Sequence, residues 1–244
     1  MSARRLLTVD EARQYYDSFG AKQDSQSFYE DPALEELIRE SHFGTAESVI
    51  EFGSGTGRFA KQLLVKSLPP HATYLGLDTS SIMVDLARTR LNDYDQRAEV
   101  ILTDGSIHLP ASNRSCDRVV SNYVLDLLSP SHIDAFVEEA QRVLKPEGLL
   151  CLVSLTFGKG MLSRFVSMTW DRIHAIQPKI VGGCRPVNLL SYLNESYWQI
   201  KHHSVQVAYG ISSEVVVAKP IGRVLRYVPV CLCKAPLLEF ESLT

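Results

Sequence analysis

The chain has 244 residues, 45% of them hydrophobic and 22% charged, with a formal charge of -3 at pH 7. That length buries most of its apolar surface in a single core, and the composition excludes a disordered or fibrous chain. So small a charge gives a polyanion no long-range attraction; the one basic patch is the sparse run Lys219, Arg223, Arg226 and Lys234, and no nucleic-acid partner is expected.

The start, "MSARRLLTVDEARQ", turns polar after two leucines and lacks the apolar centre of a secretion signal. Thr8, with Glu11 three residues on, has the reciprocal capping pattern and predicts a helix. Its continuation sets Tyr15, Tyr16, Phe19, Phe28 and Tyr29 among small and polar residues, which suits either a lid or a helix pinned to the core. Tyr16 is the candidate contact. A second helix is expected over "DPALEELIRE", capped by Asp31 with Pro32 in its first turn. Residues 1–45 therefore read as an N-terminal helical lid.

Strands and helices then alternate: "SVIEF", "RFAKQLLVKSL", "TYLGLD", "SIMVDLARTRL", "EVILTD", "DRVVSNYV", "SHIDAFVEEAQRVL" and "GLLCLVSL". In the last of these helices Ile133, Phe136, Val137, Ala140 and Leu144 share one face. Strands nearly continuous in Val, Ile and Leu are those of a parallel sheet covered on both sides, so the pattern predicts a doubly wound α/β fold. Residues 157–193 are helical or irregular and form a substrate-side insertion. "YWQIKHHSVQVAYG" and "ISSEVVVAKP" follow as two strands joined at Gly210, and so short a join makes an antiparallel hairpin. The main domain spans 46–220, and 221–244 is a C-terminal extension of unassigned role.

No segment approaches the ~20 apolar residues of a membrane span. Cys116, Cys151, Cys184, Cys231 and Cys233 form no paired C-x-x-C set, which points to a reducing cytoplasmic setting without a structural metal. His202 and His203 face opposite sides of a strand and make no metal pair.

"VIEFGSGTGR" carries the ligand chemistry. A glycine-rich turn from a strand into a helix lets backbone approach a ligand and aims helix amides at it. The register Gly55, Gly57, Ala60 satisfies the looser dinucleotide pattern, and Asp78, about twenty residues on, suits ribose hydroxyls, so NAD(P) stays open as a cofactor. Glu51, in the strand before the loop, suits an ammonium group better than a pyrophosphate. Asp104 and Gly105 end the next strand, where an adenine amino group fits. Asp78 and Asp104 also read as helix caps.

"EFGSGTG", "LGLDTS", "LTDGS", "DRVVSNYVLDLL" and "RVLKPEGLL", in that order and spacing, resemble the class I S-adenosylmethionine-dependent methyltransferases, closest to the small-molecule type of ubiquinone and menaquinone biosynthesis. The resemblance covers about 48–155 closely and implies a Rossmann-like methyltransferase fold with a seven-stranded sheet. It further implies S-adenosyl-L-methionine as cofactor. Gly53, Gly55 and Gly57 would pack on its methionine part, with Glu51 near the amino group and Asp78 on the ribose. Met83 would flank the adenine, Asp104, Gly105 and Ser106 would meet its edge, and Ser121 and Asn122 would lie nearest the methyl. The expected activity is methyl transfer to a small molecule; an NAD(P)-dependent oxidoreductase and a catalytically silent binding protein are the alternatives. Direct displacement needs alignment more than a base, and Tyr16, His174 and Arg185 are the candidates on the acceptor side.

Overall fold

In the computed structural model, which describes residues 6–221, Thr8 closes a full capping box. Its Oγ1 accepts from the Glu11 amide at 3.1 Å, and its own amide donates to the Glu11 carboxylate at 3.1 Å. Helix α1 (Val9–Phe19) starts there. A 3-10 stretch, Gly20–Gln26, leads to α2 (Ser27–Glu40), which begins four residues before the expected cap and holds Pro32 in its interior. Packing explains the extra turn. Tyr29 is buried edge-on against Tyr123, Glu30 pairs with Arg58, and Asp31, instead of capping, takes the same guanidinium.

Seven strands follow in one sheet of order β3-β2-β1-β4-β5-β7-β6. They are β1 (Ser48–Phe52), β2 (Thr73–Asp78), β3 (Ala98–Leu102), β4 (Cys116–Asn122), β5 (Leu144–Leu155), β6 (Trp198–Ala208) and β7 (Ile211–Pro220). The first five are parallel, and β7 runs antiparallel to both β5 and β6. Tyr209 and Gly210, both at positive φ, make the two-residue hairpin turn whose twist matches the flanking strands.

Helices α3 (Arg58–Lys66), α4 (Ser81–Leu91), α5 (Pro130–Val143) and α6 (Met161–Ile176) complete the layers. Period-2 alternation splits the core between the two faces. Val120, Cys151, Val153, Val215 and Val217 pack with α2, α3 and α4, while Val119, Leu150, Leu152 and Val216 pack with α5. Each such side chain contributes roughly 1.5–3 kcal/mol on burial, which is why neither face tolerates a polar run.

Asp117, the second residue of β4, has a structural role. Its carboxylate accepts from the amides of Glu47 and Ser48, each at 3.0 Å, and from Lys145 Nζ. His202 Nε2 meets Glu36 at 2.7 Å and His203 Nε2 meets Glu214 at 2.9 Å, so each histidine has its own carboxylate. Cys116, Cys151 and Cys184 are free thiols. Arg223, Arg226, Cys231, Cys233 and Lys234 lie outside the described residues, as does the extension from 222 onward.

Candidate functional site

The chain leaves β1 at Phe52 and turns through Gly53, Gly55 and Gly57, all at positive φ, into α3. Two of these glycines have visible steric causes. A methyl on Gly53 would lie 2.2 Å from Val124 Cγ2, and one on Gly57 would lie 3.0 Å from the Cα of Ala87 on α4. The loop is tied to the end of β2. The amides of Gly53 and Ser54 both donate to the Leu77 carbonyl, at 2.8 and 3.0 Å, and the Gly55 amide donates to Asp78 Oδ2 at 2.8 Å. Asp78 Oδ1 accepts from the Ser80 amide at 2.9 Å, so one carboxylate braces the loop and the start of α4 together.

Beyond this strand edge lies a cavity of about 280 Å³. Its wall includes the loop, the ends of β1, β2 and β4, Met83, and a cover formed by Leu6, Leu7, Thr8, Val9, Ala12 and Tyr16. Among the described residues, Asp24, Glu30, Glu51 and Asp78 line it against one arginine, Arg58. That arginine is neutralised by Glu30 at 3.0 Å and by Asp31. The wall is therefore acidic.

Burial sets the state of these acids. Glu51 is 2% exposed, and its desolvation lifts the carboxyl to about 8, against hydrogen bonds from Tyr74 Oη at 2.5 Å and Asn122 Nδ2 at 3.1 Å, with the Asp78 charge adding to the rise. Burial also raises Asp78, opposed by its backbone hydrogen bonds. Glu30 is pushed up to about 7 by burial, with Arg58 pulling back. The Tyr16 phenol, 3.8 Å from Cys184 Sγ, is held well above its usual range by burial and stays a proton donor. Behind the wall sits Asp126, 0% exposed; burial lifts it to about 7, with the backbone amides of Asp126 and Leu155 and the Arg185 charge pulling back.

Of the residues singled out in the sequence, Tyr16, Glu51, Gly53, Gly55, Asp78, Met83, Gly105 and Asn122 line the cavity. The others stand elsewhere. Gly57 backs onto Ala87. Asp104 and Ser106 form an exposed turn in which the Asp104 carboxylate accepts from the Ser106 amide at 2.9 Å. Ser121 is 0% exposed and donates to the Phe52 carbonyl at 3.2 Å. His174 is buried with Nε2 3.1 Å from the Gly183 carbonyl, and Arg185 is buried with Nη2 donating to the Leu128 carbonyl at 2.6 Å. Both serve backbone carbonyls, outside the cavity wall.

Glu30, Arg58 and Asp24 line the cavity and carried no sequence assignment. Arg58 directly follows the glycine loop, which was an available signal; Glu30 was hidden by the expected cap at Asp31. Asp24 accepts from Thr56 Oγ1 at 2.6 Å and from Arg90 at 2.5 Å, clasping the N-terminal segment onto the loop and α4. Ser80 Oγ donates to Asp17 Oδ1 at 2.5 Å and adds a second clasp.

A family model described as a methyltransferase domain matches residues 49–148. The chain is 27% identical over 150 residues to tRNA N(3)-methylcytidine methyltransferase Mettl2 of Drosophila melanogaster, covering 57% of this chain and 46% of that protein. It is 31% identical to malonyl-[acyl-carrier protein] O-methyltransferase of a Marinomonas species, covering 65% and 54% respectively. The chain thus spans about half the length of the curated relatives it matches. Among solved structures, the [4+2]-cyclase SpnF superposes with a TM-score of 0.67 at 16% identity, over 91% of this chain and 100% of that one. At that identity the likeness concerns the fold alone.

Proposed function

We propose that the chain is a class I S-adenosylmethionine-dependent methyltransferase that moves the methyl group of its cofactor to a small-molecule acceptor by direct displacement, a reading supported by the methyltransferase-domain match over residues 49–148 and by the methyltransferases it resembles. The observation that carries the reading is the acidic wall around the glycine loop. A pyrophosphate would meet Glu51 and Asp78, and among the described lining residues the one arginine, Arg58, is already paired, whereas a ligand with an ammonium group meets carboxyls that can ionise against it.

The residues present fit that cofactor. Gly55 lines the cavity, and a methyl added there would meet nothing within 4 Å, so the bare backbone leaves room at the loop. Ser54 Oγ and Asn122 Oδ1 are buried polar atoms without a hydrogen-bond partner, which a bound polar ligand would satisfy. Glu51 would hold the amino group, Asp78 the ribose hydroxyls, and Met83 and Gly105 the adenine. When bound, the cofactor supplies an electrophilic methyl on a sulfur that leaves as a neutral thioether.

The chain's remaining work is alignment, exclusion of water and custody of one proton. Of the N-terminal lid, residues 6–26 cover the cavity and are held by the Asp24 and Asp17 clasps. Tyr16 donates a hydrogen bond toward the acceptor. Glu30, poised near neutrality, accepts the proton of an acceptor hydroxyl as the new carbon–oxygen bond forms. A largely apolar cavity of about 280 Å³ favours a small acceptor over a polynucleotide. The free thiols favour a reducing, cytoplasmic setting.

The test is a calorimetric titration with S-adenosylhomocysteine and, separately, NAD, followed by an acceptor screen with labelled methyl donor. Binding of S-adenosylhomocysteine and label transfer to a small molecule are expected. Binding of NAD alone would refute the cofactor assignment, and cofactor binding without transfer to any small acceptor would return the chain to the silent-binding alternative.

A further inference from the structure

Helix α6 is amphipathic the wrong way round. Its inward side carries Ser163, Ser167, Trp170 and His174; Trp170 packs against the core and its Nε1 donates to the Cys184 carbonyl at 3.0 Å, and Ser167 Oγ accepts from the Gly158 amide at 3.1 Å. Its outward side carries Met161, Phe165, Met168 and Ile176, spaced to share one face and 94%, 71%, 43% and 86% exposed; Ile180, in the turn that follows, is 64% exposed. In a helix of a water-soluble face these positions are polar, and scattered single apolar residues would need no explanation. Four apolar side chains on one outward face, with Arg172 among them between Met168 and Ile176, do.

Charge identifies the occupant. Arg172 lies within the stripe and Lys159, Arg164 and Lys179 flank it along the chain, with Asp171 the single acid between 159 and 180, giving this segment a formal +3 within a chain of -3. An apolar face set among lysines and arginines is the pattern of a helix lying in the headgroup region of a bilayer with anionic lipids. Among the described residues no helix is long and apolar enough to cross a membrane, so the contact is interfacial.

We propose that the outer face of α6 and the turn after it dock the protein on an anionic lipid surface. The position is apt. Trp170 binds Cys184, whose thiol lies 3.8 Å from Tyr16 Oη on the cavity wall, and Leu7 of the cover packs on Gly183 just beyond the stripe. Docking therefore sets the lipid across α6 from the segment that carries Cys184 and Gly183 against the N-terminal cover. On the methyl-transfer reading, an acceptor with an apolar body reaches the cavity from the bilayer without crossing bulk water. The docking itself does not depend on that reading, because vesicle binding is measured without turnover.

The experiment is co-sedimentation of the full chain with vesicles of phosphatidylcholine alone and of phosphatidylcholine with about a quarter phosphatidylglycerol. Binding to the anionic vesicles is expected, weakened by ~0.5 M salt. The double variant Phe165→Ser, Ile176→Ser should lower that binding on the order of tenfold, as should Arg164→Glu, Arg172→Glu, with S-adenosylhomocysteine affinity and melting temperature retained. Failure of the wild type to bind anionic vesicles overturns the proposal, and so does binding that neither variant alters. A lipid-free dimer that the Phe165→Ser, Ile176→Ser variant dissolves would assign the face to a second copy of the chain instead.

Discussion

Glu51 makes cofactor affinity a function of pH. Its carboxyl is 2% exposed and titrates at about 8 in the free protein, so at pH 7 about one molecule in eleven carries the charge an ammonium group requires. Ionising the rest costs about 1.4 kcal/mol, close to one unit of pKa. The dissociation constant for S-adenosylhomocysteine should therefore fall about fiftyfold between pH 6 and pH 8, from the ionised fractions of a single site with that pKa. Titrations at pH 7 in buffers of different ionisation enthalpy should show about 0.9 proton released per ligand bound. Glu51→Gln keeps an acceptor for Tyr74 but cannot ionise; it should bind at least about tenfold more weakly at pH 8 and lose most of the pH dependence. A wild-type affinity that is flat from pH 6 to 8, or a Glu51→Gln variant with the full slope, would show that Glu51 does not pair with the ligand's amino group.

Asp78→Ala removes the acceptor of the Gly55 and Ser80 amides as well as the proposed ribose contact. Affinity for S-adenosylhomocysteine should drop at least about tenfold and stability by ~1–3 kcal/mol, read by titration and thermal melting. Gly53→Ala places a methyl 2.2 Å from Val124 Cγ2 at φ +81°. It should cost at least about 2 kcal/mol, and adding Val124→Ala should recover only the steric share, as judged by denaturant unfolding. Asp126 titrates at about 7 when folded, above its unfolded value near 3.9, so its ionisation withdraws stability as pH rises across that window. Asp126→Asn should therefore melt higher than wild type at pH 8 and converge with it toward pH 4; a gap that does not widen with pH would contradict the burial argument.

What the sequence determined by itself is what depends on neighbours along the chain. The Thr8 and Glu11 capping box, the alternation of strands and helices, the two-residue turn at Gly210 and the glycine loop between Glu51 and Arg58 are legible because caps, periodicity and positive φ are local constraints. Asp78 was legible for the same reason: it ends a strand one crossover away, where a parallel sheet must set it beside that loop. Tertiary structure decided which polar groups were free to act. His174 and Arg185 looked available, yet the Gly183 and Leu128 carbonyls claim them, since buried backbone oxygens must find donors. Glu30, Arg58 and Asp126 meet only through long-range packing, and no spacing foretells that. The period of α6 is visible in its residues, but which side faces the body is not. Hydrogen bonds from Gly158 to Ser167 and from Trp170 to Cys184 settle it, holding the polar side inward and leaving the apolar side to its surroundings.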